Sequence, residues 1–182
     1  MYYDTQIYRG SAESINRDLS VIYTYDFSTT GDFPTIKTKQ NGRQIIFPSF
    51  AISISEGFDK NRIYLPSNKY YVFTSLLSKA IKLVSENLFE IFPNISKTEF
   101  EADERVLERF QTEKALSVAG MTAMPATWVN AQSECFPAIK IESKHGCVTI
   151  PLEDAIPLEA MLNGFDPIVY SLTMLHFFGK LD

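Results

Sequence analysis

The chain has 182 residues, 45% of them hydrophobic and 21% charged, with 14 Phe, 9 Tyr and a formal net charge of −5. That is enough apolar matter to fill the core of one domain, and too much aromatic content for a disordered chain. No apolar run approaches the roughly 18 residues of a membrane span, and Met1-Tyr2-Tyr3-Asp4-Thr5-Gln6 lacks the basic and apolar regions of a signal peptide, so the expectation is a cytoplasmic protein with no membrane partner.

The N-terminal region reads as strands. Residues 5–8 form a short one, and in 19–27 Leu19, Val21, Tyr23, Tyr25 and Phe27 alternate at period two. The segment 11–18 between them is a turn or a short helix. A third strand covers 33–39, and Asn41-Gly42 is then the strongest hairpin signal in the chain, because both residues accept the positive φ of a tight primed turn. The next strand, 43–56, is long enough to bend, and Pro48 within it requires an edge position or a bulge. Its even positions Ile46, Phe50, Ile52 and Ile54 make an apolar face. The odd positions Ile45, Phe47, Ser49, Ala51, Ser53 and Ser55 are smaller and more polar, and this is the face expected to stay open to a ligand. Residues 57–61 read as a loop and 62–65 as a strand with Ile63 and Leu65 inward, Arg62 and Tyr64 outward.

Pro66-Ser67-Asn68 opens a long helix, with Ser67 or Asn68 as the cap. Tyr70, Phe73, Leu77, Ile81, Val84, Leu88 and Ile91 recur at three- and four-residue steps up to Pro93, a stripe expected to face the core. Thr98-Glu99-Phe100-Glu101 has capping-box spacing and predicts a second, acidic helix over 99–116. The small-residue stretch 117–127 precedes strands at 128–130, 136–142 and 147–152, the last two joined by a turn at Lys144-His145-Gly146. A final helix is expected at 168–178. The fold class is therefore α+β, antiparallel sheets each followed by a helix, in a single domain 1–182 with a basic half, 1–93, and an acidic half, 94–182.

The charge is unevenly spread. Residues 33–82 hold Lys37, Lys39, Arg43, Lys60, Arg62, Lys69, Lys79 and Lys82 against only Glu56 and Asp59, so the block is net +6 while the remainder is −11. Such polarity makes an electrostatic footprint for an anion. Within it Phe47, Phe50, Phe58 and Tyr64 alternate with the cations, and aromatic faces among positive charges are what a groove for single-stranded nucleic acid needs. Lys37, Lys39, Arg43, Lys60, Arg62 and Lys69 are the candidate phosphate contacts. Phe47 and Tyr64 are the candidate stacking platforms, and Phe58 is a wedge at a loop tip. For each aromatic, packing in an oligomer interface is an equal alternative. Lys79 and Lys82 are explained as well by a solvated helix face.

No P-loop, dinucleotide-binding glycine pattern, nucleophile elbow or zinc-hydrolase signature occurs, so no catalytic residue, cofactor or metal ligand is expected. Cys135 and Cys147 read as reduced packing residues, and His145 near Cys147 as part of a turn rather than a metal ligand. Asp154 and Glu159 read as exposed acids.

An internal repeat lies at one offset. Phe33-Pro34-Thr35-Ile36-Lys37 returns 103 positions later as Phe136-Pro137-Ala138-Ile139-Lys140, and the same shift carries Pro48 onto Pro151 and Ile45 onto Val148. Strands ending in Ile63-Tyr64-Leu65-Pro66-Ser67 with a long helix immediately after resemble the single-stranded DNA-binding unit of the PC4 transcriptional coactivator. A duplicated unit in one chain of this length resembles the Whirly proteins. The resemblance covers 33–92 and, more loosely, 136–178, and the lysine-rich KGKAALS signature of plant Whirly proteins is absent. It implies two ββββα units, an antiparallel sheet presenting aromatic and basic residues to unpaired DNA or RNA, and a homo-oligomer whose helices form the interface or back the sheet. The competing expectation is an interaction or inhibitory factor that binds another protein through the same sheet or the acidic helix 99–116. A third is a structural subunit assembled through its apolar helix.

Overall fold

The computed structural model describes residues 17–24, 36–40, 43–47, 49–56, 59–66, 69–95 and 100–177. The strands expected at 5–8 and within 25–35, and Phe58, lie outside them. Period-two alternation produces β1 (Arg17–Thr24), β2 (Ile36–Gln40), β3 (Arg43–Phe47), β4 (Ser49–Glu56) and β5 (Asp59–Pro66). The Asn41-Gly42 expectation is met: β2 and β3 pair antiparallel with Gln40 opposite Arg43.

The single strand expected over 43–56 is two strands in different ladders. β3 pairs with β2, whereas β4 is the central strand of a sheet ordered β1-β4-β5. Pro48 separates them, and a residue without an N–H cannot donate to either ladder. The loop expected at 57–61 is also shorter, since Glu56 pairs with Asp59 and the strand resumes there.

The helix after β5 is α1 (Tyr70–Glu86), followed by α2 (Leu88–Ile91). Lys69 occupies the cap position and its own side chain makes no cap bond; Ser67 and Asn68, the expected caps, lie outside the described residues. The expected stripe is core: Tyr70, Phe73, Leu77, Val84 and Ile91 are buried, joined by Leu76 and Ala80. Its break falls at Asn87, whose side-chain amide donates to Leu83 O at 2.7 Å and competes with the backbone ladder.

The capping-box expectation fails. Phe100–Glu101 is instead β7, paired with β6 (Asn94–Ile95), and α3 spans Glu104–Glu113. Its cap is Asp103, whose carboxylate accepts from the backbone N–H groups of Arg105 (3.0 Å) and Val106 (3.2 Å). Two acceptor bonds from one carboxylate outweigh a distant Thr–Glu spacing as a start signal.

A four-stranded sheet comes next, ordered β11-β10-β9-β8, from β8 (Leu116–Val118), β9 (Met121–Val129), β10 (Cys135–Ser143) and β11 (Gly146–Pro151). The sequence reading missed β8 and most of β9 because small residues hide the alternation. Ala119 and Gly120, both at positive φ (49° and 80°), make the tight turn between them. The last helix, α4 (Leu152–Phe177), starts 16 residues earlier than the predicted 168. α4 runs through Pro157 and Pro167, a residue type that ordinarily breaks a helix interior. Asp154, expected exposed, is buried in its first turn.

One continuous core joins residues from both halves: Ile52, Ile63 and Leu65 with Phe73 and Leu77, and Ile139, Ile141, Val148 and Ile150 with Ala155, Leu158 and Leu162. Tyr70 Oη donates to Leu162 O and ties α1 to α4. The edge strands of the two sheets meet through one side chain. Asn61 on β5 donates its amide to Thr149 O on β11 and accepts from Thr149 N–H at 3.1 Å. An amide that satisfies both groups of an otherwise open strand edge closes it as a neighbouring backbone does.

The 103-residue shift carries the β2–β3 ladder onto the β10–β11 ladder, Ile36–Phe47 onto Ile139–Ile150 and Gln40–Arg43 onto Ser143–Gly146. The element after each hairpin differs, a strand after β3 and a helix after β11. The hairpin of the first half that leads into a helix is β4–β5. A shift of 87 brings its pair Ile52–Ile63 onto Ile139–Ile150, and all four residues are buried.

Candidate nucleic-acid interface

Residues directly opposite in an antiparallel pair share a face, so the ladders sort seven of the nine candidate residues, all but Phe58 and Lys69. In β2–β3, Lys37 lies opposite Ile46 and Lys39 opposite Gln44, while Arg43 and Phe47 belong to the other face with Ile36 and Thr38. The hairpin therefore divides its two lysines from Arg43 and Phe47.

In the β1-β4-β5 sheet the outcome is the reverse. Lys60 is opposite Ser55, Arg62 opposite Ser53, and Tyr64 opposite Ala51, while Asp18, Ser20 and Ile22 of β1 extend the same three rows. The other face carries Ile52, Ile63 and Leu65, all buried. Burying these apolar residues fixes the register, because a slip of one would send the whole set to the wrong side. Lys60, Arg62 and Tyr64 are thereby aligned at alternate positions of an edge strand. Arg62 is half-buried. At Lys37, Lys39, Arg43, Phe47, Lys60 and Tyr64 the structure describes the backbone, and Phe58 lies outside the described residues.

Lys69 stands apart from both groups. It is half-buried at the start of α1, and its ammonium donates to Ala119 O at 2.8 Å, reaching the β8–β9 turn of the second sheet. Nearby, burial and then the charges of Lys144 and Lys69 hold the His145 imidazole below its ordinary pKa. Lys144 and His145 escaped the sequence reading because they sit alone in an acidic half. Only folding places them beside Lys69, and the two-residue connection between β10 and β11 was the one local sign of their exposure.

The acidic helix is shorter than expected and partly neutralised. Arg109 pairs with Glu90 across the α2–α3 contact, Asn94 donates to Glu101 at 3.0 Å, and Glu104, Glu108 and Glu113 stay exposed. Cys135 and Cys147 form no disulfide and are half-buried and exposed respectively. Among the described residues no three His, Cys, Asp or Glu side chains gather as metal ligands, and no helix is long and apolar enough to cross a membrane. Compared with protein-family models, curated proteins and solved structures, the chain matches none.

Proposed function

We propose that the chain is a noncatalytic protein that binds single-stranded DNA, acting in replication, recombination or transcription. The observation that carries this reading is the row Lys60, Arg62 and Tyr64 on the edge strand β5, in register with Ser55, Ser53 and Ala51. Two cations at alternate positions match a line of phosphates, and a tyrosine beside them offers a face for stacking, for about 1–3 kcal/mol per base. The reading extends to a PC4-like unit present twice: β4–β5 leads into α1 and β10–β11 leads into α4, each hairpin with a two-residue connection and a buried pair of isoleucines. On this reading the protein is a Whirly-like homo-oligomer.

The test is fluorescence anisotropy of a labelled oligo-dT of about thirty nucleotides at two salt concentrations, with a duplex of equal length as competitor. Binding that weakens with salt and resists the duplex is the expected outcome. Absence of binding at low salt sinks it. In that case the exposed acids of α3 and Phe89, 74% exposed on the adjoining α2, favour a protein-binding or inhibitory accessory factor instead.

A further inference from the structure

The hairpin β2–β3 stands apart from the rest of the molecule. Its strands pair with each other, and among the described elements it packs extensively on no other. A two-stranded hairpin is marginally stable in water by itself and gains stability when something covers it. This one places Ile36, Ile45 and Phe47 on one face, and on the other sets Lys37 opposite Ile46 and Lys39 opposite Gln44. Residues 36–47 hold Lys37, Lys39 and Arg43 and no Asp or Glu, so this arm is net +3.

A surface of the opposite sign lies on α2 and α3. From the start of α2 to the end of α3, residues 88–113 hold seven Asp/Glu against Lys97, Arg105 and Arg109, a net charge of −4. Arg109 is already paired with Glu90, and Glu104, Glu108 and Glu113 are exposed on α3. On α2, Phe89 is 74% exposed, more than any other large apolar side chain among the described residues. An exposed ring beside carboxylates matches an arm with one apolar face and three cations, both in charge and in the apolar area each leaves to water. We infer that the β2–β3 arm of one copy docks on the α2–α3 face of another, so that the chain associates with itself head to tail.

The root of the arm and this face belong to opposite ends of α1. β3 passes through Pro48 into Ser49, which lies opposite Pro66, and α1 begins shortly after Pro66 at Tyr70. α2 begins just beyond the other end of α1, a helix of 17 residues and so about 25 Å long. An arm of five-residue strands reaches about 17 Å and falls short of its own α2–α3 face. The occupant is therefore a second copy. Because the two surfaces differ, the contact is heterologous, and it closes into a ring or continues as a filament. It leaves out the row Lys60, Arg62 and Tyr64 that carries the single-strand reading, and so does not rest on that reading.

The deciding measurement is sedimentation velocity of the whole chain, free of nucleic acid, in low and in high salt. The expected result is species larger than the monomer in low salt that dissociate as salt screens the contact. Two variants then separate the surfaces. Lys37→Glu with Lys39→Glu alters the arm alone, and Glu108→Lys with Glu113→Lys alters the face alone, at positions exposed on α3. Each is expected to keep the wild-type circular dichroism spectrum and to sediment as a monomer. Mixed in equal amounts they are expected to form one-to-one pairs, because the arm variant keeps an intact face and the face variant an intact arm. A wild type that stays monomeric in low salt overturns the inference. So does association that persists in either variant alone, which an arm-to-arm or face-to-face contact would give, and so does a mixture of natively folded variants that remains monomeric. Phe89→Ser tests the face without changing its charge: the concentration needed for association should rise severalfold, and an unchanged value removes α2 from the contact.

Discussion

The hairpins β4–β5 and β10–β11 have the same inner side and different outer sides. Inside, Ile52 opposite Ile63 and Ile139 opposite Ile150 are all buried in one core. Outside, the first hairpin sets Lys60 and Arg62 against serines, and the second sets Lys140 and Glu142 against Thr149 and Cys147. Lys140 spends its charge on Glu142 at 2.9 Å, and that hydrogen bond, with the carboxylate's charge, raises its pKa. Core packing constrains the inner positions of both hairpins alike. The outer positions carry no such constraint, and they are where the two hairpins diverge.

The comparison breaks first at the shared floor. Ile63→Ala and Ile150→Ala are each expected to cost about 2–5 kcal/mol, read from urea unfolding, because each leaves a cavity in the same core. A cost below about 1 kcal/mol for one alone would show that the two hairpins are not packed equivalently. Next is the seam between the sheets. Asn61→Ala removes the partner of both Thr149 backbone groups and should cost about 1–3 kcal/mol, with faster amide exchange at Thr149 as the local signature.

The outer faces are sharpened by paired charge reversals. Lys60→Glu is expected to weaken oligo-dT binding severalfold and to lower the salt slope by about 1, while Lys140→Glu, already paired, leaves both unchanged. Equal effects would dissolve the distinction between the hairpins. The smallest effect is a pH dependence. His145 binds its proton less readily folded than unfolded, so as pH falls below the unfolded value of about 6.5 the unfolded chain takes up protons first and stability declines. Above that pH the contribution vanishes. His145→Gln should flatten this slope in thermal unfolding followed from pH 7 to 5.

The sequence by itself determined what depends on near neighbours. Period two placed β1 and β4 and the inward side of Ile63 and Leu65, the three-and-four spacing placed the buried stripe of α1, and Asn41-Gly42 placed a hairpin. These signals are local because backbone geometry repeats every two or 3.6 residues. Failures came where a local signal was overruled or absent: the capping box lost to Asp103, small residues concealed β9, and the first half of α4 was not read as helix. Of the candidate site, the outward side of Arg62 and Tyr64 was legible, because apolar residues alternate with them, whereas Lys60, read as part of a loop, joins their row only because β5 begins at Asp59. The tertiary structure alone decided that Pro48 divides two ladders and so separates Phe47 and Arg43 from that row. It also decided that Asn61 seals Thr149, 88 positions away, and that Lys69 crosses to Ala119, 50 positions away. Contacts of that reach depend on which edges and turns the shared core brings together, and no repeat within the chain encodes them.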